Sequence, residues 1–280
     1  MATAPLPGGH VNGLGSTHRT DRWWVGPLLT VLGLGGFAVY STWAAFQGNH
    51  YFHESYLSPF YSPVLFVDQA HWTANGLMSH AWFGKWPEWL SSIWPPFIPH
   101  SPAFLILIFP GSFRLTCYYY RKAYYRSFMA TPPGCAVGGI SGLAKYRGET
   151  FLFIFQNLHR YALYFAVIFI GILYYDAFIA FFRDGKFGVG VGSIVLLVNA
   201  TLLACYTFGC HSWRHLIGGK LDCFTCDARA RVQHGAWKKV SWLNARHMQF
   251  AWMSLFWVGF SDLYVRLVSM GIWTDYNTWN

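Results

Sequence analysis

Seven consecutive residues, Gly209-Cys210-His211-Ser212-Trp213-Arg214-His215, place a thiol, two imidazoles and a guanidinium at the end of an apolar run from Val191 to Phe208. Ionisable groups at membrane depth are costly and mark function by default. Cysteine sulfur and imidazole nitrogen are also the donors that hold zinc, haem iron and iron–sulfur clusters. The chemistry this stretch could do is therefore metal ligation or electron transfer. His211 and His215 stand four apart and share one face of a helix. Cys210 is turned about 100° from His211, so one helix could offer both kinds of ligand.

Similar residues recur near the same end of other apolar runs: Arg114 and Cys117, His159 and Arg160, Arg246 and His247. At about 1.5 Å of rise per residue, all fall within roughly one to three helical turns of one boundary. The opposite half of the runs contains no histidine. A single bis-histidine haem could use His159 with His211, His215 or His247; a second haem would need another pair at the opposite end. Two cysteines on one iron and two histidines on the other form the ligand set of a Rieske-type [2Fe–2S] centre. Cys117 and Cys210 could supply the thiolates, and His159 with His211 or His215 the imidazoles. The C-x-H and C-x-x-H loops of soluble Rieske proteins are missing, so such a centre would be built from helices. The iron–sulfur reading is favoured over haem b because haem leaves both cysteines unexplained.

The elements that must hold this layer are membrane helices. The 280 residues are 54% hydrophobic, 20% aromatic and 11% charged, whereas soluble domains are about 25% charged. About 20 apolar residues cross a bilayer, and five such runs stand out: Trp24–Phe46, Ala103–Tyr120, Phe151–Phe182, Gly190–His215 and Leu243–Met270. The expected fold is all-α, an integral membrane bundle of five transmembrane helices over 24–272. A tail precedes it at 1–23 and another follows at 273–280. A long outer loop covers 47–100, and cytoplasmic loops cover 121–150 and 216–242. Pro110 and Gly111 predict a kink in the second run. The first twenty residues lack an apolar core, so no cleavable signal peptide is expected.

Lys and Arg set the orientation. They gather in the N-terminal tail (Arg19, Arg22), after the second run (Arg121, Lys122, Arg126, Lys145, Arg147), and from Arg214 through Lys220, Arg229, Arg231, Lys238 and Lys239 to Arg246. The positive side is cytoplasmic, so the N-terminus is expected inside and the C-terminus outside. The formal charge of +9 is then topology rather than nucleic-acid binding.

In the outer loop, Trp86, Trp89 and Trp94 fit short segments lying at the membrane surface. His50, His53, His71 and His80 could bind a metal there or find polar partners in a folded cap. The six cysteines form no secreted-protein pattern. Cys223-Phe-Thr-Cys226 could bind zinc with Cys135 and His234, or stay a dithiol.

Four stretches together resemble the cytochrome b-like membrane-anchor subunit of actinobacterial-type succinate dehydrogenases and fumarate reductases. They are Arg114-Leu-Thr-Cys-Tyr-Tyr-Tyr-Arg-Lys-Ala-Tyr-Tyr-Arg126, Gln156-Asn-Leu-His-Arg-Tyr161, the 209–215 stretch, and Phe256-Trp-Val-Gly-Phe-Ser-Asp-Leu-Tyr-Val-Arg266. The resemblance covers about 101–272. Dihaem anchors of that family hold two haems through four histidines; here the first run has none, and Cys117 stands where that plan needs one. The resemblance implies a flavoprotein partner with FAD that oxidises succinate and an iron–sulfur partner that carries electrons. It implies that this chain anchors both on its cytoplasmic face, in a bacterial plasma membrane, and reduces menaquinone or another quinone. Tyr118, Arg121, Tyr124, Trp213 and Arg214 are the candidate quinone residues, since aromatics hold an apolar ring and Arg or Tyr can bond a carbonyl. An aromatic belt with snorkelling cations would use the same residues. Asp262, one turn from Arg266, is its expected partner.

Overall fold

The computed structural model describes residues 13–67, 77–140, 149–219 and 221–279, and of 78–79 and 149–156 the backbone alone. His71, Lys145, Arg147 and Lys220 lie outside the described residues. In chain order the helices are α1 (Val25–Gln47), α2 (Glu88–Ile93), α3 (Pro102–Ile106), α4 (Ile108–Leu115), α5 (Tyr118–Ala123), α6 (Glu149–Ile179), α7 (Val191–Phe208), α8 (His211–Gly218), α9 (Ala228–Ala245) and α10 (His247–Ser269). A 3-10 turn covers Leu77–His80 and a π-helical turn Tyr124–Phe128. The strands described are two short antiparallel hairpins: β1 (Phe52–His53) with β2 (Tyr56–Leu57), and β3 (Phe182–Arg183) with β4 (Lys186–Phe187). The chain divides into two compact units. One is Met1–Ala38 with Arg114–His159, the other Val39–Phe113 with Arg160–Asn280.

The mostly helical expectation holds. Among the described residues, three helices are long and apolar enough to cross a membrane: Val25–Gln47, Asn157–Ile179 and Val191–Phe208. The other two expected spans differ in instructive ways. The second is broken at Leu107, between α3 and α4. Pro110 has no N–H to give to the carbonyl of Ile106, and its ring crowds that carbonyl, so the break falls just upstream of the proline. The fifth is interrupted at Arg246, which separates α9 from α10. The guanidinium of Arg246 lies over the Trp242 ring at 4.1 Å.

The expected fourth span also stops early. It ends at Phe208, and a new helix, α8, starts at His211. Gly209 is the reason. A Cβ there would come within 2.7 Å of the Cys205 carbonyl oxygen and 3.1 Å of that of Leu243. The Gly209 carbonyl also accepts from Asn244 Nδ2 at 2.8 Å. The backbone of α9 therefore sits directly on the turn that presents Cys210.

In the second unit, Tyr56, Ala177, Ala180, Leu196 and Val265 form one core cluster, and Val195, Tyr264 and Val268 another. A small residue lets the β2 aromatic seat against α7: at Gly192 a Cβ would lie 2.5 Å from the Tyr56 ring. In the first unit, the segment before α1 pairs with the 135–138 loop. The Gly15 N–H donates to the Gly138 carbonyl at 2.9 Å, and the Gly138 N–H donates to the Ser16 carbonyl at 2.8 Å. Thr17 donates to the Ala136 carbonyl at 2.7 Å.

Candidate functional site

In the first unit, α4 ends at Leu115 and two residues turn the chain before α5. Cys117, buried and extended (φ −62°, ψ 129°), is the N-cap of α5. Its neighbour Thr116 places Oγ1 2.9 Å from Nδ1 of buried His159 on α6. One hydroxyl thus ties the Cys117 turn to the imidazole. Arg114 donates to the Tyr120 hydroxyl at 2.8 Å. Tyr124 donates to the Leu115 carbonyl at 3.0 Å, and burial pushes its hydroxyl above the ordinary tyrosine value. Tyr118 is exposed, with Arg121 stacked over its ring at 4.9 Å.

In the second unit, Cys210 is likewise buried and likewise an N-cap, here of α8, its Sγ accepting from the Ser212 N–H at 3.3 Å. His211 and His215 both face outward and are exposed. The imidazole drawn inward is His247 at the start of α10. It stacks on Tyr206, one turn before Cys210, with ring centroids 4.8 Å apart. Trp213 packs on Phe208 at 4.9 Å. Arg214 is held by α9: its Nε donates to Ser241 at 2.9 Å and its guanidinium covers Trp237 at 4.5 Å.

Among the described residues, no three of His, Cys, Asp and Glu lie together closely enough to hold a metal ion. The first unit buries one thiol and one imidazole, Cys117 and His159, and the second buries the Cys210 thiol; each is a donor type that iron–sulfur groups use. Cys223 and Cys226 are joined in a disulfide, which corrects both the dithiol and the zinc readings, since no free thiol remains at either position. His234 stacks on Phe224 at 4.6 Å instead. In the long loop, His100 stacks on Trp86 at 4.9 Å and His80 packs against Phe52 at 5.0 Å.

A second polar centre in the same unit was only partly foreseen. The segment from Tyr56 to Ser62 sends hydroxyls to three carboxylates on three different elements. Tyr56 bonds Asp275 at 2.8 Å, Ser58 bonds Asp262 at 2.5 Å, and Ser62 bonds Asp176. Tyr40 of α1 adds a bond to Asp262 at 2.6 Å. The expected Asp262–Arg266 pair is present at 3.3 Å, both side chains fully buried, with Arg266 also donating to the Asn49 carbonyl at 2.9 Å. Asp275 gathers Tyr264 at 2.6 Å and the Gly192 N–H at 3.0 Å, a carboxylate on the first turn of α7 where the helix dipole favours it. Burial pushes the Tyr56 hydroxyl up to about 12. Neither Asp176 nor Asp275 was singled out from the sequence: Asp176 carried a signal, as an acid inside an apolar run, while Asp275, beyond the last run, carried none.

Over residues 25–271 the chain matches the family model of actinobacterial succinate dehydrogenase subunit SdhC. Among solved structures it is similar to a chain of the Mycobacterium smegmatis Sdh1 complex in the apo form. The two are 44% identical, 94% of each chain is covered, and the TM-score is 0.80. No curated protein matches it.

Proposed function

Because the chain belongs to the family of actinobacterial succinate dehydrogenase subunit SdhC, we propose that it passes electrons from its partner subunits to a membrane quinone through a Cys/His-ligated centre. As the membrane-anchor subunit it seats the flavoprotein and iron–sulfur subunits on the cytoplasmic face of a bacterial plasma membrane. Those partners oxidise succinate to fumarate and supply two electrons; the quinone takes both, with two protons, and leaves as quinol. The basic loops favour docking on the inner side as well as setting topology. All five expected spans cross: broken α3–α4 as the second and α10 as the fifth. The 23 residues of α10 reach roughly 35 Å at helical rise, and its one buried ion pair is internally neutralised.

The ligands in this reading are Cys117, Cys210 and His159, completed by His211 or His215. The observation that carries this is the placement of two buried cysteines at the starts of two separate helices. A helix N-terminus favours negative charge such as a metal-bound thiolate. Thr116 holds the His159 ring in one orientation, as partners of metal-bound histidines do. When bound, a [2Fe–2S] group with imidazole ligands takes up one electron at a raised potential. Tyr118 and Trp213 offer apolar faces to a quinone ring, Arg121 and Arg214 offer donors to its carbonyls, and Tyr124, already bonded to Leu115, forms wall.

The test is spectroscopic, on the purified complex. The expected result is an anisotropic Rieske-type EPR signal on reduction, with two irons and two acid-labile sulfides beyond those of the partner subunits. A reduced cytochrome b band would replace the cluster with one haem. The absence of both signals would reduce the chain to a structural anchor.

A further inference from the structure

Beyond electron transfer, we infer that the outer loop is a lipid-seated platform, whose 82–97 stretch lies in the headgroup region of the bilayer. Five large apolar side chains there, Trp82, Phe83, Trp89, Ile93 and Phe97, are each more than half exposed. They are not on a loose strand. Trp82 and Phe83 are fixed by backbone bonds to the Val64 and Leu65 carbonyls at 2.9 and 3.0 Å, and Trp86 to that of Val67 at 2.9 Å. The other two tryptophans turn inward: Trp86 is buried against Trp94 at 5.1 Å, and Trp94 donates to the Ile98 carbonyl at 2.9 Å. A fixed scaffold therefore holds the exposed set outward.

The helix in the middle of this stretch is amphipathic in the way an interfacial helix must be. On α2, buried Leu90 faces the protein, while Trp89 and Ile93, four apart, share the adjoining flank. Glu88, Ser91 and Ser92 occupy the opposite arc. The occupant is identified by continuity. Phe97 stands five residues before Pro102, where α3 begins in a membrane-anchor chain. Two other segments joined to the same end of the unit also expose aromatics. Phe187 is on the β3–β4 hairpin, and Trp273 and Tyr276 are on the C-terminal segment, whose Tyr276 carbonyl accepts from Val191 at 3.0 Å. A rim of Trp, Tyr and Phe is what the membrane–water interface selects.

The complex is reconstituted in nanodiscs of phosphatidylethanolamine and phosphatidylglycerol, with p-benzoylphenylalanine replacing Trp89, Ile93, Phe97 or, as the control, Ser92. After irradiation, peptide mass spectrometry should find phospholipid adducts at the first three positions and none at Ser92. Adducts to a second copy or to another subunit overturn the proposal, as does a lack of adducts at all four positions. Equal lipid labelling at Ser92 and Ile93 overturns the fixed orientation on which the platform rests.

Discussion

Cysteine is an unusual residue to start a helix, a position that Ser, Thr, Asp and Asn fill best. Cys117 and Cys210 both do so while buried, and this separates folding from chemistry. Serine at either position caps at least as well, so Cys117→Ser and Cys210→Ser should leave assembly and thermal stability of the anchor intact. Each should abolish the proposed EPR signal and succinate:quinone turnover. A serine variant that keeps its iron content and signal rules that cysteine out as a ligand. The Asp262–Arg266 pair makes a second residue-scale prediction. Removing one member of a buried pair leaves an uncompensated charge, at a cost of about 3–5 kcal/mol, whereas replacing both is far milder. Arg266→Met should therefore lower the unfolding temperature of the detergent-purified complex much more than Arg266→Met combined with Asp262→Leu. Tyr40 and Ser58, which both bond Asp262, keep the double variant from being neutral.

At the scale of elements, hydropathy located α1, α6 and the start of α7 to within about three residues, because burial in lipid depends on average composition over a long window. Of the interruptions, only the one in the second run was signalled, by Pro110 and Gly111; those at Gly209 and Arg246 were not. The breaks at Leu107, Gly209 and Arg246 lie at single residues with particular local contacts: a proline one turn ahead, a glycine under α9, an arginine folded over Trp242. The same blindness affected the candidate site. Residue types placed Cys117, His159 and Cys210 in one layer, and all three are buried. But the break at Gly209 starts a new helix that turns His211 and His215 outward, while His247 is drawn in. Gly209→Ala tests the break itself. Its methyl would meet backbone oxygens that cannot move aside, so the expected cost is about 1–3 kcal/mol, read as a lower unfolding temperature. The cap around the 77–80 turn gives a pH prediction. Burial holds the His80 imidazole below its ordinary value of 6.5, so the folded cap favours the neutral ring. Its contribution to stability is complete above the unfolded value and is lost as pH falls through 6.5 towards the lower folded value. Hydrogen exchange at the Trp82, Phe83 and Trp86 amides, corrected for intrinsic rate, should accelerate on acidification over that range. In His80→Phe the acceleration should disappear.

For the whole molecule, the question is whether broken α3–α4 carries the chain across the bilayer, since the anchor role needs the basic loops on the partner side. Helices of five and eight residues reach roughly 20 Å at helical rise, less than the hydrocarbon core of about 30 Å. Leu107 and the turn into α5 extend that reach, and buried non-helical backbone at membrane depth is tolerated where protein satisfies it. Leu107 and Gly111 keep their backbone bonds to Ala103 and Leu107 at 2.9 Å each, so the break costs little hydrogen bonding. Two cysteines bracket this segment in a direct test: native Cys135, exposed after it, and one introduced as Ser91→Cys, exposed before it. With α3–α4 spanning, a membrane-impermeant maleimide should label Cys135 only in inverted vesicles and the introduced cysteine only in right-side-out ones, with the sites identified by peptide mass spectrometry. Labelling of both from one side would leave α3–α4 as a re-entrant segment. It would also leave an even number of crossings, which would put the N- and C-termini on the same face and remove the charge-based assignment of the docking side.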